Sequence, residues 1–271
     1  MIIRQNSSAD EWRQVIQQCP PDTVIGEFAG RDSVAAILKV LEDGVITSIL
    51  PVVTFAPVEY GSVEVLEANV NLLRQQVMTR YQGKVSIGPL MYLSNQALWQ
   101  VLNSSFVAIL QQHFGFYTPC IGCHAYFHLM RMPLAKRLGG RVISGERESH
   151  DGRLKANQLS ICLDSYQRIM AHFGVDLLIP LRQVTNGKEI EALIQWQWEE
   201  GKAQPQCLFS GNDRNKRGES LINEQLIPSY LETFLEPVCQ NLGHLLLESP
   251  QANLAEMKEV VIERLTLEGI L

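Results

Sequence analysis

Short runs rich in Val, Ile and Leu alternate along the chain with longer segments whose apolar residues recur every three to four positions. The short runs predict strands over residues 24–28, 45–55, 85–90, 141–144 and 177–181. The amphipathic segments predict helices over 33–41, 63–81, 95–114, 121–138, 156–173 and 188–200. Alternation of this kind builds βαβ units. The expected fold class is therefore α/β: a Rossmann-like, mostly parallel sheet with helices on both faces. In such a sheet ligands sit beyond the carboxyl ends of the strands, where Gly30 falls. A boundary is expected near 201–205, with a nucleotide-binding α/β domain over 1–205. A mainly helical C-terminal extension, 206–271, would pack on it.

Composition narrows the function. Of 271 residues, 46% are hydrophobic and 19% charged, enough apolar material for a sizeable core and too little charge for a disordered chain. No apolar run approaches the roughly 20 residues that span a bilayer, so no membrane partner is expected. Residues 1–12 lack the basic and apolar regions of a signal peptide, and a cytoplasmic protein is expected. In that compartment the six cysteines read as thiols, ligands or nucleophiles rather than disulfides. A net charge of −6 excludes a surface coated for bulk nucleic-acid binding. Basic residues still gather between Arg131 and Lys155, including Lys136, Arg137, Arg141, Arg147 and Arg153, with a second knot at Arg214, Lys216 and Arg217. These form either a phosphate-facing patch or ordinary solvated faces.

The segment 23–38 carries the most specific chemistry. Its apolar run ends at Phe28, Ala29 and Gly30 make a tight turn, and Asp32 and Ser33 open a helix. The first amides of a helix have no intrahelical partner and its dipole favours negative charge, so a glycine turn feeding a helix makes an anion site. Asp32 and Ser33 also suit a helix start, because their side chains accept from free amides. A carboxylate beside a phosphate needs a cation, which points to a nucleotide carried with Mg2+. An ordinary capped strand-to-helix turn has the same pattern.

Phe28-Ala29-Gly30-Arg31-Asp32-Ser33 resembles the phosphate loop of the PP-loop ATP pyrophosphatases, the adenine nucleotide alpha hydrolase-like group, which reads Ser-Gly-Gly-x-Asp-Ser. The last glycine, the aspartate and the final serine match; Phe28 and Ala29 replace the first serine and glycine. The resemblance implies that Ala29, Gly30, Arg31, Asp32 and Ser33 hold the pyrophosphate of ATP while a substrate oxygen is adenylated. Asp32, with magnesium, would offset phosphate charge, and Arg31 would assist the leaving group.

Cys120-Ile-Gly-Cys123-His124 opens a predicted helix. Two thiols three residues apart at a helix start can face one metal, and the dipole lowers their pKa toward the thiolate a metal needs. Cys207, in a loop-like segment, is a third candidate; Cys19, Cys162 and Cys239 read as core or incidental residues. The pair plus a distant third cysteine resembles the iron–sulfur subgroup of PP-loop tRNA-thiolating enzymes, in which three cysteines hold a four-iron cluster. Zinc competes: Cys120, Cys123 and Cys207 with His124 or His128 make a four-ligand set. His128 is the better fourth ligand, because Cys123 and His124 are adjacent and diverge on a helix. Covalent haem and a thioredoxin-like dithiol fit the surrounding sequence poorly.

A third region, residues 141–158, leaves a strand, passes through polar residues and re-enters a helix. PP-loop enzymes carry a glycine-centred, ATP-binding turn at this place. Gly145 would let the backbone approach the nucleotide, and Glu146 would serve a metal or ribose. His150 and Asp151 suit proton transfer, and Lys155 and Asn157 suit phosphate or substrate contact.

Over residues 20–210 the resemblance implies an ATP-dependent adenylating enzyme. Sulfur transfer to tRNA or another acceptor comes first, with an adenine nucleotide, tRNA and a sulfur donor as partners and an iron–sulfur cluster or Zn2+ on the cysteines. Two further readings stay open. One is a zinc-containing PP-loop ligase acting on a small molecule or a protein. The other is a non-catalytic adenine-nucleotide-binding protein with an altered phosphate loop. A homodimer is also compatible with the sequence.

Overall fold

A computed structural model describes residues 6–196, 198, 204–211, 214–217, 219, 221 and 223–271. Its first helix, α1 (Ala9–Gln18), starts at a capping box in which Ser8 and Glu11 satisfy each other's backbone amides. Strand β1 (Val24–Glu27) then feeds α2 (Arg31–Leu41), and β2 (Ser48–Thr54) is buried along its whole length. After the short β3 (Glu59–Tyr60) come α3 (Val63–Tyr81), β4 (Ser86–Ile87) and β5 (Met91–Leu93). Three helices follow, α4 (Gln96–Asn103), α5 (Val107–Phe114) and α6 (Pro119–Ala135), before β6 (Arg141–Ile143). The chain continues through α7 (Ser160–His172), β7 (Asp176–Leu178), α8 (Gly187–Ile194) and β8 (Gln206–Cys207). It closes with α9 (Ile227–Ser229), α10 (Glu236–Glu248) and α11 (Leu254–Leu267).

The main sheet runs β4-β2-β1-β6-β7, with β5 also on β2, and every pairing in it is parallel. Parallel strands need both faces covered, and two apolar clusters do so. On one face α2, α3 and α8 bury Val34, Ile37, Leu38, Leu73 and Ile190. On the other, Leu98 of α4, Tyr126 of α6 and Tyr166 of α7 join Val238, Leu242, Val261 and Leu265 of α10 and α11. The C-terminal helices thus share a core with those covering the sheet. Each such side chain contributes about 1.5–3 kcal/mol by leaving water.

Three predicted elements break, one of them the helix over 156–173, where a 3-10 turn (Ala156–Gln158) and extended Leu159 precede α7. The expected helix over 95–114 divides into α4 and α5 at Ser104, whose hydroxyl bonds the carbonyl of Gln100 and offers the backbone an alternative to helix. The expected strand over 85–90 pairs only at Ser86–Ile87, and β5 joins β2 further along. The antiparallel pair β3–β8 was not signalled by periodicity, since two residues carry none. Among the described residues no helix is long and apolar enough to cross a membrane.

Candidate functional site

Strand β1 lies at the centre of the sheet, and the chain moves outward from it to β2 on one side and to β6 and β7 on the other. The carboxyl ends of β1 and β6 therefore flank the point where strand order reverses, the usual ligand crevice of an open α/β sheet. Ser33 ties the first turn together. Its Oγ accepts from the amides of Ala29 at 3.0 Å and Gly30 at 3.1 Å and donates to the carbonyl of Gly30 at 2.7 Å. Two amides expected to face a phosphate are thus satisfied within the turn. The amide of Arg31 points to Gln204 Oε1 at 3.5 Å, and a Cβ on Gly30 would stand 2.6 Å from that oxygen.

The turn after β6 presses against the start of α2. A Cβ on Gly145 would lie 2.4 Å from the backbone nitrogen of Ser33, so only glycine permits this approach. The missing side chain allows this contact between the two turns. Asp32 accepts from Arg147 Nε at 2.9 Å, and Arg31 Nε stands 3.4 Å from its other oxygen. The wholly buried Arg147 also donates to the Val184 carbonyl and, at 2.9 Å, to His150 Nδ1. His150 then carries its proton on Nε2, facing Gln158. Burial, helped by Lys155 and Arg147 and opposed by Gln158 and Asp32, pulls the His150 pKa down to about 4. Lys155 is exposed, and Asp151 accepts from the amide of Gly187 at the start of α8.

Beside this pair lies a carboxylate clamp that periodicity alone does not reveal. Buried Glu146 faces His124 Nδ1 at 2.6 Å and His128 Nε2 at 3.2 Å, two rings one turn apart on α6. Asn157 Nδ2 donates to His124 Nε2 at 2.8 Å, so the His124 proton sits on Nδ1, toward Glu146. Burial alone would raise the Glu146 pKa, but the charges and hydrogen bonds of His128 and His124 outweigh it and hold the carboxyl well below its ordinary range. The Ser144 hydroxyl stands 2.8 Å from Glu27 and 3.2 Å from Glu146. Glu27 also accepts from the amide of Gly145 and lies 3.6 Å from buried Arg131. Of the basic cluster read from sequence, Arg131 and Arg147 are therefore interior charges, not a surface patch.

The thiols converge on the same helix. Cys120 and Cys123 lie in the first turns of α6, and Thr118 caps it by accepting from the amide of Cys120. Pairing of β8 with β3 sets Cys207 opposite Glu59. Cys123 is buried, and its sulfur accepts from Trp99 Nε1 at 3.3 Å. Burial above all pushes its thiol up, with Glu59, Cys207 and Cys120 adding to the effect. Glu59 is itself pushed up to about 7 by burial, against the Ala56 amide and Arg131. Among the described residues no three His, Cys, Asp or Glu side chains are set to hold a metal ion. The trio is thus a meeting of thiols rather than a formed ligand shell. His128 is not its fourth member: its Nε2 faces Glu146.

No family model matches the chain. Over 216 residues it is 40% identical to the uncharacterized protein MJ0009 of Methanocaldococcus jannaschii, a match covering 80% of this chain and 78% of that protein. The chain belongs to the family of that archaeal protein. In this family member the site also draws on Glu27, Ser144 and Gln158, which the sequence does not single out, and on Arg131 and Arg147, which it offers only as members of a basic cluster. Glu27 and Arg147 stand next to recognisable turns, so adjacency to Gly30 and Glu146 is the available signal. Ser144 has none, and the basic cluster gives Arg131 a charge but no partner. A separate groove of about 350 Å³, lined by Trp12, Met130, Leu134 and Leu246, lies among α1, α6 and α10.

Proposed function

We propose that this chain binds an adenine nucleotide with Mg2+ at the edge between β1 and β6 and adenylates a carbonyl oxygen of an acceptor, in the service of sulfur transfer to tRNA or another molecule. The observation that carries the reading is the contact of Gly145 with the start of α2, which gathers Arg31, Asp32, Glu146 and Arg147 around one helix N-terminus at the switch point of the sheet. That terminus favours an anion, and Arg31 adds positive charge there. The acceptor oxygen attacks the α-phosphorus and pyrophosphate leaves with the electron pair of the broken bond. A sulfur nucleophile then displaces AMP. Magnesium held beside Asp32 would supply counter-charge to the pyrophosphate.

The sulfur part rests on Cys120, Cys123 and Cys207, which three separate electrostatic links and the β3–β8 pairing bring together with Glu59. We propose them as the residues that take up an iron–sulfur cluster or Zn2+. Among the described residues the three thiols do not by themselves form a metal-holding group.

A second reading, a nucleotide-binding protein without catalysis, is favoured by the internal bonds of the Ala29 and Gly30 amides to Ser33. Equilibrium binding of Mg–ATP and release of pyrophosphate separate the two. Binding lost in Asp32→Asn, with pyrophosphate released in the presence of tRNA, supports the enzyme. Binding without release supports the second reading, and no binding by the wild type overturns both. Iron, sulfide and zinc measured on protein purified without oxygen, beside Cys120→Ala, test the metal. Equal metal in both proteins, or none, removes it from the proposal.

A further inference from the structure

We propose a second metal site, independent of the cysteines, formed at the surface by His172 of α7 and His244 of α10 and suited to a borderline divalent ion such as Zn2+, Co2+ or Ni2+. The two Nε2 atoms stand 2.9 Å apart, with ring planes at 82° and centroids separated by 5.1 Å. Both residues are exposed, so an ion reaches them from solvent. Zinc binds an imidazole nitrogen at about 2.0–2.1 Å, so two such nitrogens on one tetrahedral ion lie roughly 3.3 Å apart. The observed pair is within a few tenths of an ångström of that spacing.

The rings are held in place from behind. Phe173 packs edge-on against His172 at 4.9 Å and against His244 at 5.2 Å, and is itself buried. Gly243 makes the seat for that ring, since a Cβ there would lie 2.2 Å from Phe173 Cζ. A pair fixed in this way loses little side-chain freedom on binding. Without an ion, one Nε2 donates its proton to the other; when the ion binds, that histidine carries its proton on Nδ1 instead, so both Nε2 lone pairs face the ion.

Among the described residues no third His, Cys, Asp or Glu already stands at coordinating spacing, so the site is a two-histidine clamp completed by water. Glu248, one turn beyond His244, lines the same hollow as His244 and Glu263 and can supply a carboxylate. An ion held there would link α10 to α7, and through α7 the C-terminal helices to the layer that covers the sheet. Imidazole with carboxylate or water suits zinc, cobalt and nickel better than magnesium or calcium.

The test is titration of the full chain with Co2+ and with Ni2+, following absorption and thermal midpoint, in the wild type and in His172→Gln, His244→Gln and Cys120→Ala. One Co2+ without thiolate charge-transfer absorption, and a rise in the midpoint, are expected in Cys120→Ala, and the same equivalent and rise in the wild type beside whatever its thiols take up. Both histidine variants should lose that equivalent and that rise. Equal uptake and an equal rise in the histidine variants overturn the proposal. A measurement that needs no variant is paramagnetic broadening by Ni2+ in the wild type. The ring signals of His172 and His244 should broaden first, and broadening centred elsewhere overturns the site.

Discussion

Arg147, wholly buried in the turn after β6, donates from Nε to Asp32 Oδ2 at 2.9 Å and so fastens that turn to the first residues of α2. The same guanidinium is braced by the Val184 carbonyl and His150 Nδ1. A buried cation fixed on three sides makes Asp32 a structural residue, whatever else it contacts.

Asp32→Ala should therefore cost stability as well as any ligand affinity. Removing the carboxylate leaves a buried donor unpaired, a loss of about 1–3 kcal/mol. Asp32→Asn keeps an acceptor oxygen and should lose less. Urea unfolding of the two variants measures this, and an unchanged midpoint for Asp32→Ala would refute the pair.

His150 should impose a pH dependence of its own. Its folded pKa, about 4, lies below the ordinary 6.5, so the unfolded chain binds more protons between these values. Its contribution to stability is present above pH 6.5 and drains away as pH falls toward 4. His150→Gln should flatten the stability profile across that window. A variant profile parallel to the wild type there contradicts the assignment.

Glu59 carries the opposite sign. Burial raises its carboxyl to about 7, above the unfolded value near 4.3. The folded chain then binds more protons across this interval, and ionising Glu59 with rising pH costs stability. Glu59→Gln keeps an oxygen for the Ala56 amide, so relative to the wild type it should gain stability between about pH 5 and pH 8. Chemical unfolding at the two pH values decides it; a constant difference counts against a raised pKa.

Gly145→Ala places a Cβ 2.4 Å from the Ser33 nitrogen, a backbone atom with little room to move. Overpacking of this kind costs about 1–3 kcal/mol, and here it also pushes the β6 turn off α2. The thermal midpoint should fall. Full stability in the variant would mean that the two turns do not touch as described.

The fold was legible in the sequence because burial on both faces writes itself into composition. Parallel strands such as β2 are buried along their whole length and so mostly apolar, and the helices that cover them must carry an apolar stripe, so strand and helix segments could be told apart. The start of α2 was legible too, because Gly30, Asp32 and Ser33 are residues a strand-to-helix turn selects for local reasons. His124 and His128 could be placed on one helix face by their spacing. Their shared partner could not, since Glu146 arrives from the end of another strand.

The chain by itself therefore determined the α/β class, the position of the first turn and the helical start at the cysteine pair, all set by neighbours a few residues apart. Only the tertiary structure decided where the charges went. Arg147 closed on Asp32, Glu146 took both histidines, Ser33 consumed the amides of its own turn, and β8 carried Cys207 to Glu59. Buried polar groups must find partners, and which partners lie within reach depends on how the strands are ordered. That order, with β1 between β2 and β6, is a property of the assembled sheet rather than of any local stretch of sequence.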